Sequence, residues 1–540
     1  MGSTTEQLAQ LDAFLQPMTI DIEKCHLLSE KFLQNFIHLS AESLDQFLPT
    51  PISESILRPV ADHGHGRHLA IDIGGTNLRV GFVELLTDES VKSDDSNGVA
   101  TNGNGHSGTN GLNGNSTNGH STPKSPSGRL QRHLEKSWPI SNHLKNDNAD
   151  SLFLWIGKCI AEVVEEGSKA FNLPGDAPLP LGITFSFPVE QPSLEKATIT
   201  SMGKGFAIPP NVDLGDRLKA AYDKHRGADA PPIYIAAVAN DSVATLISFI
   251  FNYDGVVHRR ATMGLILGTG SNATIPVKLS LLHPDKRPKN VNLLPGEKVD
   301  DAKIAVNTEW SINGTAPPMR ELGLINRWDD ELSAQNEKPG FQPLEYMTAG
   351  RYLGELGRIM LLDYMTSTLN INRALLPQKI LAQESLSTTF LSHFKPLQPT
   401  TLLSVLRSEF PESPDSSFLW NEHHAEALYR IAKAIEVRAA GIIAAAIMAL
   451  LTLGEALPVD GSSPLPQSEI RELGVGYTGG CIVHFQDYLV DCQNFVNQLV
   501  NRRFGKDSPL RVTMSPCHDG GITGAGILVA AALSSQTSQT

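Results

Sequence analysis

Four glycine-rich turns recur in this 540-residue chain, and each of them carries threonine. They are Ile73-Gly74-Gly75-Thr76-Asn77, Leu267-Gly268-Thr269-Gly270-Ser271-Asn272, Tyr477-Thr478-Gly479-Gly480 and Asp519-Gly520-Gly521-Ile522-Thr523-Gly524. Glycine lets backbone N–H groups approach an anion, while threonine and asparagine add side-chain donors. One such turn would only suggest a hairpin. Several turns in widely separated parts of the chain predict a nucleotide site between two domains. The sequence has neither the Walker nor the Rossmann pattern, which disfavours P-loop and dinucleotide folds.

A single carboxylate, Asp72, lies in the apolar run HLAIDIGGTNLRV directly before the first of these turns. A bare carboxylate in a protein core is costly unless something compensates it. The residues alone leave three explanations open, namely a solvated turn, a metal or a phosphate ligand.

A second group of polar residues lies near predicted strand ends. Its members are Ser186, Lys204, Asn240, Asp241, Asn307, Glu309 and Glu345. Carboxylates and amides suit a hydroxyl-rich substrate, and such a site discriminates against analogues that lack a hydroxyl. Taken singly, Lys204 is explained as a surface charge and Glu309 as a loop cap. Taken together beside two phosphate-type turns, the group favours a binding site.

Strand and helix patterns alternate along the chain, which predicts an α/β architecture with mixed sheets. Strands are predicted at 77–86 and 131–139, on either side of a Gly-, Asn-, Ser- and Thr-rich segment at 88–128. That composition predicts a disordered insertion, because it has almost nothing to bury. The stretch EYMTAGRYLGELGRIMLLDYM has helical spacing. The apolar run from Ala439 to Leu451 is shorter than the roughly 20 residues of a membrane helix, so we expect a core helix.

Composition excludes several classes of function. A net charge of −14 argues against nucleic acid as the main ligand. Five scattered cysteines without a C-x-x-C pair indicate neither a disulfide framework nor a zinc cluster. The N-terminal residues lack the pattern of a signal peptide. We therefore expect a cytoplasmic protein without membrane attachment, with access to the nucleus left open.

The ordered set of motifs resembles the eukaryotic hexokinase family, in the actin-like sugar kinase superfamily. IDIGGTNLRV and GLILGTGSN resemble the two phosphate motifs, and LGITFSFP and GKGF resemble sugar-loop segments. AVANDSVATL is similar to the segment that carries the catalytic aspartate. VNTEW and LEYMTAGRYLGE are similar to the segments that supply two sugar-binding glutamates. The insertion and the atypical motif details look like a filamentous-fungal member.

The resemblance implies a two-lobed actin-like ATPase (ribonuclease H-like) fold, with mixed sheets in both lobes and a cleft between them. Residues 1–67 would form an N-terminal helical segment packed on the large lobe. Residues 68–240 would form the small lobe and 241–521 the large lobe. Residues 522–540 would form a C-terminal helix returning to the small lobe, followed by a tail.

The resemblance also implies the chemistry, which is ATP- and Mg²⁺-dependent phosphorylation of a hexose, with glucose expected, at its 6-hydroxyl. Asp241 would be the general base that accepts the hydroxyl proton. The sugar hydroxyls would be held by Ser186, Lys204, Asn240, Asn307, Glu309 and Glu345. Nucleotide and phosphate contacts would come from Asp72, Gly74, Gly75, Thr76, Asn77, Arg79, Gly268, Thr269, Gly270, Asn272, Thr478 and Gly479. No direct protein ligand for the metal is expected, and Asp72 would face Mg²⁺ through water.

The chain departs from the family pattern mainly around the nucleotide. Typical members read Asp-Gly-Ser where this chain has Thr478-Gly479-Gly480, and Ile522 stands where glycine would permit a positive φ. Gly203 replaces a threonine that contacts the sugar. Two functions follow as alternatives, a hexose kinase or a catalytically weak sugar sensor that signals through a protein partner. A structural actin-like assembly is a poor third, because it would leave the sugar-site residues without a purpose.

Overall fold

A computed structural model describes residues 4–53, 66–86, 129–141, 144, 149–187, 189–199, 208–254, 258–289, 291, 293, 296, 298–396, 401–459 and 470–537. The predicted insertion at 88–128, Gly203 and Lys204 lie outside these residues. The chain divides into two compact units. The large unit comprises Met1–Glu54, Glu190–Ser193 and Asn240–Gly520. The small unit comprises Ser55–Val189, Leu194–Ala239 and Gly521–Thr540.

The small unit is built on a five-stranded mixed sheet with the strand order β4-β3-β2-β5-β9. Its strands are β2 (Gly66–Ile73), β3 (Asn77–Leu85), β4 (Leu130–Pro139), β5 (Leu179–Phe185) and β9 (Ile233–Asn240). The short strands β7 (Lys196–Ile199) and β8 (Val212–Asp213) pair with each other, whereas all but the first residue of β6 (Val189–Ser193) belongs to the large unit. β2 pairs with β3 in antiparallel and with β5 in parallel orientation, so it lies inside the sheet. Its buried apolar residues reflect this central position.

In the described residues of the small unit there are three long helices, namely α3 (Ala149–Phe171), α4 (Leu214–His225) and most of α16 (Gly520–Thr537). α16 approaches the sheet through glycines. A side-chain carbon at Gly182 of β5 would lie 2.2 Å from the Ala525 carbonyl oxygen, and one at Gly526 would lie 2.4 Å from Val83. Any larger residue at these positions would push the helix off the sheet.

The large unit is built on a six-stranded mixed sheet with the strand order β1-β12-β11-β10-β13-β14. Its strands are β1 (Leu48–Ser53), β10 (Arg259–Leu267), β11 (Ser271–Lys278), β12 (Lys303–Asn307), β13 (Glu472–Thr478) and β14 (Arg511–Pro516). β10 and β11 form an antiparallel hairpin across the second glycine turn. β13 runs parallel to β10 as its neighbour in the sheet. The second glycine turn follows β10 and the third follows β13, so the two turns lie at the same end of adjacent strands.

The large unit also contains the following helices among its described residues. They are α1 (Thr5–Leu15), α2 (Ile22–Glu42), α5 (Asp241–Tyr253), α6 (Ala316–Glu321), α7 (Arg327–Gln335), α8 (Pro343–Thr348), α9 (Leu353–Asp363), α10 (Gln378–Leu381), α11 (Thr388–His393), α12 (Leu402–Glu409), α13 (Glu422–Leu453), α14 (Gly480–His484) and α15 (Tyr488–Phe504). α13 is the central helix of the unit and packs against α2, α9 and α15. Its fully buried Arg438 pairs with Asp329 of α7 at 2.7 Å.

α13 spans 32 residues, which is more than the apolar run from which it was predicted. It is long and apolar enough to cross a membrane, but 89% of its most apolar window is buried inside the protein. A core helix has this property, in agreement with the sequence-based expectation.

The predicted helix around 345–365 is divided in the structure. α8 ends at Thr348 and α9 begins at Leu353. The amides of Gly350 and Arg351 donate to the carbonyl oxygens of Gly268 and Thr269 instead of continuing the helix. Helical spacing alone could not reveal this break, because it depends on a turn about 80 residues earlier in the chain.

Candidate functional site

Three polar side chains interlock where β11 begins and β12 ends in the large unit. Asn272 Nδ2 donates to Asn307 Oδ1 at 2.8 Å and to Glu309 Oε1 at 3.2 Å. Asn307 Nδ2 donates to the same glutamate oxygen at 2.9 Å. Glu309 is only 7% exposed, and two side-chain amides donate to its buried carboxylate. We call Asn272, Asn307, Glu309 and Glu345 the polar cluster.

Glu309 has an unusual backbone conformation. Its φ is +43°, in the left-handed region that residues with a side chain rarely adopt. Its carbonyl oxygen accepts hydrogen bonds from Gln46 Nε2 at 2.9 Å and from the Ile312 amide at 3.1 Å. Such strain persists only where the surrounding structure enforces it, and it is typical of functional positions.

Glu345 comes from a different element, the first turn of α8. Its Oε2 accepts a hydrogen bond from the Ser271 amide at 2.9 Å, and the residue is 4% exposed. Ser271 also accepts a hydrogen bond at its Oγ from the indole Nε1 of Trp310, at 3.0 Å. The residue at the start of β11 therefore contacts both Glu345 and the residue that follows Glu309.

Asn240 and Asp241 begin helix α5, with Asn240 as its N-cap. The Ser242 amide donates to Asn240 Oδ1 at 3.0 Å and to Asp241 Oδ1 at 2.8 Å. Ser242 Oγ is 2.8 Å from Asn240 Oδ1 and 2.7 Å from Thr274 Oγ1. Since Thr274 pairs with Asn307 across β11 and β12, this network ties the start of α5 to the strands of the polar cluster.

The second glycine turn joins β10 to β11. The Gly268 amide donates to the Gly270 carbonyl oxygen at 3.0 Å, which closes the turn. From the other side, the amides of Gly350 and Arg351 donate to Gly268 and Thr269 at 2.8 and 3.2 Å. Thr269 is exposed at the tip. The turn thus presents a hydroxyl on a backbone that is fixed by hydrogen bonds.

The third glycine turn, Thr478 to Gly480, lies beside the second. Gly479 has a φ of +126°, and a side-chain carbon there would lie 2.3 Å from the Leu267 carbonyl. Only glycine therefore suits this position. Gly480 is different, because the nearest atom to a side-chain carbon there is His484 Cδ2 at 3.9 Å. A larger residue would fit at Gly480.

The first glycine turn joins β2 to β3 in the small unit. The Gly74 amide donates to the Asn77 carbonyl oxygen at 3.0 Å, and the side chains of Thr76 and Asn77 are exposed. The Ser186 amide donates to the Ile73 carbonyl oxygen at 3.1 Å. The structure therefore places one predicted sugar-binding residue directly beside the predicted phosphate turn.

Asp72 lies next to the N-terminal end of helix α16. A side-chain carbon at Gly521 would lie 2.6 Å from Asp72 Oδ2, so glycine is required for the carboxylate to fit. Arg79 and Thr184 are its neighbours on the two adjacent strands. The positive end of a helix favours a nearby carboxylate, which explains an acidic residue in an apolar strand without a metal. This explanation was not among the three that the sequence suggested.

In the fourth glycine turn, Ile522 does not have the positive φ that the family pattern suggested for this position. Ile522 is part of α16 and is 1% exposed, and it is not among the residues with positive φ. Its side chain packs in the interior, so the structure does not require glycine at this position. The residue with positive φ is Asp519, just before the helix, at +57°.

The chain is similar to known proteins of one family. Two hexokinase family models match residues 10–251 and 262–531. The chain belongs to the hexokinase family. It is 26% identical over 474 residues to hexokinase-7 of Oryza sativa subsp. japonica, covering 86% of this chain and 84% of that protein. It is 27% identical over 395 residues to hexokinase-1 of Arabidopsis thaliana, covering 72% of each chain.

A solved structure of the same family has a similar fold. The hexokinase of Schistosoma mansoni in complex with glucose matches with a TM-score of 0.70 at 21% identity, covering 98% of this chain and 100% of that one. This hexokinase-family chain therefore has the two-lobed α/β fold of the actin-like sugar kinases, with mixed sheets. The fold class expected from the motifs is confirmed.

Some residues of the site were assigned differently or missed by sequence reasoning in this hexokinase-family chain. Asn272 was expected at the phosphates, yet its side chain bonds to Asn307 and Glu309. Ser271, Trp310 and Thr274 were not predicted at all. Their hydrogen bonds join residues that are distant in sequence, and the only signal for Ser271 was its position at the end of a glycine turn.

Three carboxylates meet one lysine near the start of α15. Lys433 Nζ donates to Glu436 at 2.6 Å, to Asp487 at 2.9 Å and to Asp491 at 2.7 Å. Burial tends to lower the pKa of Lys433, but these hydrogen bonds raise it above its usual value. Burial raises the pKa of Glu436 to about 8, against the opposing effect of Lys433. The ammonium group therefore occupies the place of a metal cation, and burial favours the protonated form of Glu436.

Proposed function

We propose that this chain transfers the γ-phosphoryl group of ATP to the 6-hydroxyl of a hexose, with glucose as the expected substrate. The interlocked Asn272, Asn307 and Glu309 carry the proposal. Acceptors and donors held in fixed directions suit a ligand rich in hydroxyls. A homologue of this fold was solved with glucose, which supports the choice of sugar.

The proposed reaction needs a base and a positioned hydroxyl. The sugar oxygen forms a bond to the γ-phosphorus while the bond to the ADP oxygen breaks, and Asp241 accepts the hydroxyl proton. The Ser242 amide fixes one oxygen of this carboxylate. Positioning and charge neutralisation supply most of the acceleration in phosphoryl transfer. We assign Ser186, Lys204 and Asn240 to the sugar together with the polar cluster.

The side chains around the first turn fit a magnesium-bound phosphate chain. Asp72 offers a half-buried carboxylate, and Thr76 and Asn77 expose a hydroxyl and an amide. When bound, Mg²⁺ neutralises charge on the phosphates. We propose that Asp72 faces the metal through water and that Thr76 and Thr269 donate to phosphate oxygens. The other residues proposed for nucleotide contacts are Gly74, Gly75, Arg79, Gly268, Gly270, Thr478 and Gly479.

A second candidate function is a sugar sensor with weak or no turnover. The observation that favours it is Gly480, where the structure leaves open space and the chain supplies no side chain. The neighbouring Thr478 is neutral where typical members have a carboxylate. Sugar binding would persist in such a protein, while ATP would be held poorly.

One experiment separates these functions. Purified protein is assayed for glucose phosphorylation with Mg-ATP, with Asp241→Ala as the blank, and glucose binding is measured by calorimetry on the same samples. Turnover of at least about 1 per second supports the kinase. Binding without turnover above the blank supports the sensor. The absence of both contradicts the two proposals.

A further inference from the structure

We propose that Ser271 is a positioning residue that fixes both glutamates of the polar cluster. The inference rests on the proposed function, since it takes Glu309 and Glu345 as sugar-binding residues. Ser271 itself is 2% exposed, so its contacts are with the protein and not with solvent.

The first contact orients Glu345. The Ser271 amide donates to Glu345 Oε2 at 2.9 Å, and the carboxylate is almost completely buried. A buried carboxylate requires hydrogen bonds, and the direction of the donor then determines the direction of the carboxylate. Glu345 therefore depends on where the backbone of Ser271 lies.

The second contact orients the segment that carries Glu309. The indole Nε1 of Trp310 donates to Ser271 Oγ at 3.0 Å, and Trp310 is completely buried. Trp310 directly follows Glu309, whose φ of +43° is held only by its surroundings. A fixed indole limits how far the backbone at Glu309 can relax toward an ordinary conformation.

Ser271 is in turn anchored by the second glycine turn. The hydrogen bonds from Gly350 and Arg351 to Gly268 and Thr269 hold the backbone that leads into Ser271. The segment after Glu345 and the turn before Ser271 are therefore joined at several points. Ser271 contacts Glu345 directly and Glu309 through Trp310, so its position determines how the two glutamates are placed relative to each other.

The test compares Ser271→Ala with Ser271→Thr, which keeps the hydroxyl, and with Ser40→Ala. Ser40 is a buried serine of the same unit that donates to Ile37 and lies outside the polar cluster. Calorimetry gives the dissociation constants for glucose and for each monodeoxyglucose. The dissociation constant of each deoxy sugar divided by that of glucose measures how strongly the missing hydroxyl is recognised, and this ratio does not depend on the folded fraction.

We expect Ser271→Ala to weaken glucose binding about tenfold, because it breaks one buried hydrogen bond. We also expect it to reduce the ratio at least about threefold for one or more hydroxyls. Alanine keeps the amide that donates to Glu345 but releases the indole of Trp310, so Glu309 is held less firmly and discriminates less. Ser271→Thr and Ser40→Ala should keep all ratios within about twofold. If Ser271→Ala does not fold, Trp310→Phe removes the same hydrogen bond from the donor side and should reduce the same ratios.

The outcomes are distinguishable. Unchanged ratios in Ser271→Ala, in a protein whose wild type binds glucose, overturn the positioning role and leave the proposed function intact. A wild-type protein that does not bind glucose overturns the proposed function and the positioning role with it.

Discussion

The polar cluster and the third glycine turn belong to the same unit, but different forces hold them in place. Asn272, Asn307 and Glu309 are fixed by hydrogen bonds from a half-buried side chain, Asn272, to two buried ones and between those two. In the third turn, Thr478 to Gly480, it is the backbone that packs, since Gly479 lies against the Leu267 carbonyl. Gly480 contributes no side-chain contact and has open space beside it.

This difference has a consequence for recognition. A network of side chains specifies which hydroxyls are bound, because a missing partner leaves a buried group unpaired. A backbone turn recognises an anion but offers little to a base or a ribose. We therefore expect strict sugar selection and loose nucleotide selection, and the variants of Glu309 and Gly480 test that contrast.

The largest effect is expected for Asp241→Ala. Loss of the general base should lower kcat for glucose at least about a thousandfold, within the range for general-base catalysis. Glucose affinity should stay within about tenfold, because the base acts chiefly in the transition state. Steady-state kinetics and calorimetry on one preparation measure both. Parallel losses of binding and turnover would contradict the assignment of Asp241.

Glu309→Gln should weaken glucose binding by about 10- to 100-fold, since hydrogen bonds to a charged acceptor are roughly twice as strong as neutral ones. The KM for ATP should stay within about twofold. The matched control is Glu331→Gln, an exposed glutamate of α7. An equal rise in both KM values would show that the polar cluster does not select the sugar.

The pH dependence of stability should reflect Glu436. Its pKa is raised to about 8, so the folded state holds a proton that the unfolded state releases above its ordinary pKa near 4.5. The free energy of unfolding should therefore fall as pH rises from about 5 to 8, by at most about 1.4 kcal/mol per pH unit.

Glu436→Gln resembles the protonated form, so its urea unfolding series should show a flatter pH dependence over the same range. The same slope in wild type and variant would refute the assignment of the proton to Glu436.

The smallest effect is expected for Gly480→Ser. The structure has room for this side chain, and one added hydrogen bond is worth about 0.5–1.5 kcal/mol. The KM for ATP should fall about threefold to tenfold, with glucose affinity unchanged. Gly227→Ser, at another open position, is the control.

Gly479→Ala provides the contrast to Gly480→Ser. Its side-chain carbon would collide with the Leu267 carbonyl, so the melting temperature should drop. If Gly480→Ser leaves the KM for ATP unchanged, the third turn does not contact the nucleotide, and the contrast between the two regions loses its basis.

Local patterns in the sequence determined much of this protein. The glycine turns, the strands that flank them and the alternation of strands and helices were all predictable, because they depend on neighbouring residues. The motif order was specific enough to indicate the hexokinase family and its fold. Asn307, Glu309 and Asn240-Asp241 were predicted as site residues from their positions at strand ends.

Tertiary structure decided which of these residues meet. Asp72 is accommodated by Gly521, which is far away in sequence, and Glu345 is held by an amide of the second glycine turn. The side chain of Asn272 turns to Glu309, and the segment after α8 leaves its helix to bond with Gly268 and Thr269. Each contact depends on sheet register and helix packing, which bring distant segments within hydrogen-bond distance. No local pattern of residues encodes that distance.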